Sequence, residues 1–184
     1  MSQHEIERTA LRHRMVGGLT AADAGATLTL TGWVHRRRDL GGLFFVDLRD
    51  RSGLLQVSVG PDWTDAASVE VTRALGAEDV VRVEGRVELR PDPNPNMPTG
   101  QVELRAARVE RLSVARTPAI PVFRAPEEEL PSEELRLRHR VLDLRRPELQ
   151  RALVLRHRII LAVRNYMDRL GFVEVETPIL TKPT

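Results

Sequence analysis

Between residues 27 and 113 the chain alternates apolar and polar positions, the period of strands with one buried and one wet face. Thr27-Leu28-Thr29-Leu30-Thr31 opens the pattern, which continues through Gly32-Trp33-Val34 into Arg36-Arg37-Arg38. A turn over Asp39-Leu40-Gly41-Gly42 predicts a hairpin into Leu43–Arg49, and Arg51-Ser52-Gly53 predicts a second turn into Leu54–Val59. From Val80 to Arg90 the alternation is nearly unbroken. Val81, Val83, Gly85, Val87 and Leu89 face one way; Arg82, Glu84, Arg86, Glu88 and Arg90 face the other. Gln101–Leu112 begins in the same way. Between the third and fourth strands, Asp65–Leu75 has helical spacing, with Ala67, Val71, Ala74 and Leu75 on one side and Gly76 as its stop.

The order strand, strand, strand, helix, strand, strand predicts a mainly β fold, the five-stranded OB-fold barrel with one inserted helix. A lipocalin-like barrel needs more strands and a doubly wound sheet more helices. Residues 1–115 are assigned to this barrel. From Arg116 to Pro131 the composition shifts to Pro118, Pro121, Pro126 and Pro131 around the run Glu127-Glu128-Glu129, which reads as a hinge extending over residues 116–146. A long helix is predicted next: Pro147 suits its first turn, Glu148 complements its positive end, and Gly171 follows its last turn. Leu149, Leu153, Ile160, Val163, Met167 and Leu170 supply its apolar stripe. Phe172–Glu176 reads as a strand stopped at Thr177-Pro178, so residues 147–184 form a third, helix-strand segment.

Composition narrows the function classes. No apolar run approaches the roughly 20 residues of a membrane span, and Met1–Arg14 has no apolar signal core. The chain has no cysteine, which removes disulfides, thiolate metal sites and cysteine nucleophiles. Both features predict a cytoplasmic protein. Net charge is only +2, yet 27 of the 28 basic residues are arginine. Ten of them lie between Arg136 and Arg169 against Asp143, Glu148 and Asp168, a candidate polyanion footprint. His4, His13, His35, His139 and His157 are scattered without ligand spacing. No nucleophile–base pairing and no phosphate-cradling loop occur, so no catalytic or metal residue is assigned.

The barrel's outer face offers binding chemistry instead. If Phe44, Val46 and Leu48 fill the core, then Leu43, Phe45, Asp47 and Arg49 point outward. Burying Leu55, Val57 and Val59 turns Gln56 outward, and burying Val102 and Leu104 does the same for Glu103. Phe45 as a stacking platform, Gln56 and Glu103 for base edges, and Arg36 and Arg38 for phosphates make a single-strand reading site.

Three ordered stretches carry a family resemblance. Gly32-Trp33-Val34-His35-Arg36-Arg37-Arg38-Asp39-Leu40-Gly41-Gly42, with Phe45-Val46-Asp47-Leu48-Arg49-Asp50-Arg51 and Gln56-Val57, resembles the anticodon-binding domain of bacterial aspartyl-tRNA synthetases. Glu134-Leu135-Arg136-Leu137-Arg138, with His139 where the family has tyrosine, and Leu142-Asp143-Leu144-Arg145-Arg146-Pro147-Glu148 resemble its hinge. Gly171–Lys182 resembles the first signature motif of class II synthetases, the start of their α+β catalytic domain.

The resemblance implies that Phe45 stacks on the middle anticodon base, that Gln56 and Glu103 help read bases, and that Arg36 and Arg38 contact the anticodon stem-loop. It implies that Phe172 and Pro178 belong to a dimer interface. It further implies a parent enzyme that activates aspartate with ATP and Mg2+ and transfers it to tRNA(Asp), with tRNA(Asn) a possible second acceptor. The second and third class II motifs would lie beyond Thr184, so these 184 residues are expected to be inactive alone. The other readings are a stand-alone, non-catalytic OB-fold RNA-binding module and an asparaginyl or lysyl synthetase relative.

Overall fold

The computed structural model describes residues 9–123 and 128–177. The chain divides into two units, Met1–Pro118 and Ala119–Thr184. In the first, strands β1 (Thr27–Leu40), β2 (Leu43–Asp50), β3 (Gly53–Val59), β4 (Val80–Leu89) and β5 (Val102–Ser113) close into a barrel in the order β1-β2-β3-β5-β4. All neighbours are antiparallel except β3 and β5, whose parallel pairing completes the ring. Gly41 and Gly42 both have positive φ, the requirement of the two-residue turn that joins Leu40 to its partner Leu43.

The interior follows the alternation. Leu30, Val34, Phe44, Val46, Leu48, Leu55, Val57, Val59, Val81, Val83, Val87, Val102 and Leu104 are all buried. Each such side chain contributes roughly 1.5–3 kcal/mol relative to exposure. Val16 and Leu19, beside a short 3-10 turn at Val16–Gly18, join this core; Asp50 Oδ2 fixes the turn by accepting from Val16 N at 2.8 Å. Leu89, expected on the apolar side, is exposed at its strand end.

Three register shifts interrupt the pairing, one of them at Leu112, between Val81↔Arg111 and Val80↔Ser113. In β1 the pairing with β2 runs Val34↔Leu48 and then Arg36↔Asp47, so His35 is an extra residue. Leu30, Gly32 and Val34 point inward before the bulge; after it the phase inverts, and Arg36 and Arg38 join the outer face. In β5 the pairing with β4 passes from Ala106 to Arg108, and the buried positions shift from Val102, Leu104 and Ala106 to Val109.

Helix α1 (Ala66–Arg73) starts where Asp65 accepts from Ser68 N at 2.8 Å. Its inner face matches the expected Ala67, Val71, Ala74 and Leu75 side only in part: Leu75 is buried and Val71 packs against the core, but Ala67 and Ala74 are exposed and Ser68 and Thr72 are buried instead. The reason is hydrogen bonding. Ser68 Oγ accepts from Val109 N at 2.8 Å and Thr72 Oγ1 donates to Ser68 O at 2.8 Å, so satisfied hydroxyls replace methyl groups against β5.

The second unit holds α2 (Glu133–Arg138), α3 (Arg140–Asp143) and α4 (Pro147–Arg169). Gly171, at positive φ, ends α4 with two reversed hydrogen bonds: Gly171 N to Asp168 O and Phe172 N to Met167 O. The expected strand over Phe172–Glu176 is absent; residues 172–177 pair with no strand among the described residues. Phe172 serves instead as the last residue of the helix stop, and Glu174 turns back to accept from Arg164 at 2.8 Å. Pro178 lies outside the described residues. Of the expected apolar stripe of α4, Leu149 is half-buried and Leu153, Ile160, Val163, Met167 and Leu170 are exposed, as are Phe172, Val173 and Val175.

Several arginines of the basic stretch are engaged within this unit. Asp143 is buried and accepts from Arg146 Nε at 2.7 Å and from Arg140 at 2.6 Å. Burial alone would raise the Asp143 carboxyl; the hydrogen bond and charge of Arg146, with Arg136 and Arg140, outweigh it and hold the group below the usual range.

Candidate nucleic-acid interface

Register builds the outer face as two rows across the sheet. One row runs Arg38, Phe45, Ser58, Arg105, Arg86; the next runs Arg36, Asp47, Gln56, Glu103, Glu88. Cross-strand partners share a face, so these side chains are neighbours at about 5 Å spacing. All five residues expected to touch RNA therefore lie on one surface: Arg36, Arg38, Phe45, Gln56 and Glu103.

Their contacts form a chain. Arg38 Cζ lies 5.6 Å from the Phe45 ring centroid. One Arg38 terminal nitrogen donates to Asp47 Oδ1 and to Gln56 Oε1, both at 3.1 Å. Gln56 Nε2 donates to Glu103 Oε2 at 2.6 Å, and Ser58 Oγ donates to Glu103 Oε1 at 2.9 Å. Gln56 differs from expectation here. It is on the outer face yet only 4% exposed, because Arg38 and Glu103 bracket its amide. That bracket fixes which end of the amide is oxygen and which is nitrogen. Arg36 is exposed, while Arg38 is partly exposed, with its Nε buried.

The Arg38–Asp47 pair joins a partly exposed guanidinium to a largely buried carboxylate. Stacking of a base on an aromatic is worth about 1–3 kcal/mol.

The bulge that aims Arg36 and Arg38 has its own fastening. Arg49 donates to both oxygens of Glu78, at 2.6 and 2.7 Å, with both side chains largely buried. Glu78 is the one described non-glycine residue at positive φ, 69°, and its N–H donates to Val34 O at 2.7 Å. Arg49 also approaches His35 Nδ1 at 3.4 Å; a guanidinium can only donate, so that nitrogen accepts. Burial, and then the Arg49 charge, push the His35 pKa below its ordinary 6.5.

The sign of the pH effect follows. Below pH 6.5 the unfolded chain binds a proton at His35 that the folded chain resists, so this stability is complete above 6.5 and is lost as pH falls toward the lowered value. The melting temperature should fall between pH of about 7.5 and about 5.5, and His35→Gln should show a smaller fall. Equal falls in the two proteins would show that His35 is not the acid-sensitive group.

The remaining aromatic on this surface went unread in the sequence. Trp63, in the loop between β3 and α1, lies against Arg105, whose Cζ is 4.2 Å from the ring centroid. Sequence offered no signal for it, since Trp63 follows a Pro-Asp turn outside any alternating run.

Comparison with known proteins agrees with this geometry. The model of the OB-fold nucleic acid binding domain found in tRNA anticodon binding matches residues 28–112. The model of class II tRNA synthetases (D, K and N) matches residues 132–184. The fold and its outer face thus define a class: an OB-fold nucleic-acid-binding domain joined to class II synthetase sequence. Residues 132–184 carry the class II synthetase match, and the curated relatives to which the chain is similar include aspartate–tRNA ligases. It is 47% identical over 173 residues to aspartate–tRNA ligase of Streptococcus thermophilus, covering 94% of this chain and 29% of that protein. It is 48% identical over 183 residues to aspartate–tRNA(Asp/Asn) ligase of Moorella thermoacetica, covering 97% and 30%. The chain therefore spans under a third of the length of these relatives. In fold it is similar to an aspartyl-tRNA synthetase of Entamoeba histolytica, with a TM-score of 0.82 at 21% identity, covering 98% of this chain and 42% of that one.

Proposed function

We propose that the barrel reads the anticodon loop of tRNA(Asp) for an aspartate–tRNA ligase, and that this chain is the recognition portion of that enzyme. The observation that carries the reading is the Arg38–Phe45–Gln56–Glu103 chain: a stacking ring, an oriented amide and a carboxylate on one face of a nucleic-acid-binding fold. In this reading Phe45 stacks one unpaired base. Gln56 and Glu103, held in place before binding, offer hydrogen bonds to base edges, and Arg36 and Arg38 meet phosphates. Pre-organisation lowers the ordering cost that binding must overcome.

The catalytic activity, in which aspartate and ATP form an adenylate before transfer to tRNA, is proposed for the whole synthetase. ATP and Mg2+ would support it through phosphate charge. Among the described residues no group of three or more His, Asp or Glu could hold a metal ion, so no step is assigned to these residues. A homodimer in which Phe172 and Pro178 contribute to the interface is part of the same proposal; the exposed apolar residues of α4 and Phe172 support it. So is a cytoplasmic location; no helix among the described residues is long and apolar enough to cross a membrane. Acceptance of tRNA(Asn) is carried by some relatives' names only. The stand-alone module reading loses ground to the class II match over residues 132–184.

The test separates affinity from selectivity. Gln56→Ala should lower the preference for a stem-loop with the aspartate anticodon GUC over loops with altered bases, more than it lowers affinity. Arg36→Ala should weaken all loops alike and reduce the salt slope by about one. Unchanged selectivity in Gln56→Ala would remove that residue from base reading.

A further inference from the structure

The outer face carries two arginine–aromatic pairs. Arg38 lies over Phe45 at one end of the row Phe45, Ser58, Arg105, and Arg105 lies over Trp63 at the other, with the Gln56–Glu103 bridge in the adjacent row. Ser58 separates Phe45 from Arg105 in the same row, so the two platforms stand about two strand spacings, roughly 10 Å, apart.

The second pair is built, not incidental. Trp63 Nε1 donates to Ser58 O at 3.4 Å. Gly60 makes room for the ring: a Cβ there would sit 2.6 Å from the indole. The loop is pinned to β5, with Thr64 Oγ1 donating to Ala106 O at 2.6 Å and Asp65 N to Ala107 O at 3.2 Å. Arg105 lies against this pinned ring, with 41% of its side chain exposed. Among the described residues its ion pair, to Glu88 at 3.5 Å, is long and half exposed. A partly exposed guanidinium backed by an indole is a stacking plane for a nucleobase.

We infer that Trp63 and Arg105 form a second stacking platform, which takes another unpaired base of the RNA strand whose first base stacks on Phe45. The inference rests on the RNA-reading function proposed above. It assigns to this chain a two-platform grip, with the Gln56–Glu103 pair in the row beside the two platforms.

The experiment measures binding of the 184-residue chain to a GUC anticodon stem-loop by fluorescence anisotropy. A set of stem-loops, each lacking the base at one loop position, is measured alongside. Trp63→Ala and Arg105→Lys should each weaken the intact stem-loop roughly tenfold. Both should also become insensitive to removal of one particular base, a base whose removal still weakens Phe45→Ala. Arg105→Lys keeps the charge and leaves Trp63 in place, so a disturbed loop cannot produce its effect; Trp63→Phe should restore most of the affinity. If Phe45→Ala weakens binding while Trp63→Ala and Arg105→Lys bind like the parent, the second platform is wrong and the RNA reading stands. If the parent chain does not favour the stem-loop over a duplex, the RNA reading fails and the platform falls with it.

Discussion

Phe44→Ala should destabilise the barrel by about 3–5 kcal/mol, while its neighbour Phe45→Ala should leave the fold nearly unchanged and weaken anticodon stem-loop binding by about 1–3 kcal/mol. Phe44 is fully buried among Val46, Leu48 and the other core residues; Phe45 lies on the opposite face under Arg38. Removing the first leaves a cavity that a closed barrel cannot collapse to fill, because every strand is paired on both edges. Removing the second uncovers only a half-exposed guanidinium. Chemical denaturation and stem-loop titration on both variants separate the effects. The reverse outcome, with Phe45→Ala unfolded and Phe44→Ala impaired only in binding, would invert β2 by one residue and dissolve the site.

Arg49→Ala should cost about 3 kcal/mol of stability, because it removes a two-bond fork from a nearly buried carboxylate. The consequences extend beyond stability. Glu78 holds an unfavourable left-handed backbone, and the fork helps to keep it there, beside the bulge that turns Arg36 and Arg38 outward. Stem-loop affinity should therefore drop in Arg49→Ala although Arg49 itself is given no role in RNA contact. Loss of its charge should also let His35 protonate more readily and shrink the acid sensitivity of the barrel. A variant with full stability and full RNA affinity would show that the bulge needs no such fastening.

Much of this architecture is visible in the alternation of side chains, because a closed barrel with one dry face imposes a period of two on each strand. That is why Phe44 and Phe45 could be assigned to opposite faces from β2 alone. The alternation is blind to an inserted residue. Carried on strictly from Val34, it would turn Arg36 and Arg38 inward, and only the pairing of β1 with β2 shows His35 as the extra residue that turns them out. Hydropathy places only Val71 and Leu75 of the inner face of α1, since Ser68 and Thr72 are buried through hydrogen bonds that no hydropathy pattern records. Outward pointing was likewise taken for exposure at Gln56, whose neighbours come from strands distant in sequence. Trp63 was missed for the same reason, as its partner Arg105 lies on β5. The strand expected over Phe172–Glu176 has suitable residues, but strand pairing needs a neighbour that no local pattern supplies.

The central claim, that the outer face of the barrel reads an unpaired anticodon loop, is tested most directly by titrating the 184-residue chain with a labelled GUC stem-loop. The same stem closed as an uninterrupted duplex is the comparison, at matched salt. The stem-loop should bind at least tenfold more tightly, because base stacking on Phe45 is available only to unpaired bases. Equal affinity for the stem-loop and the duplex would contradict it.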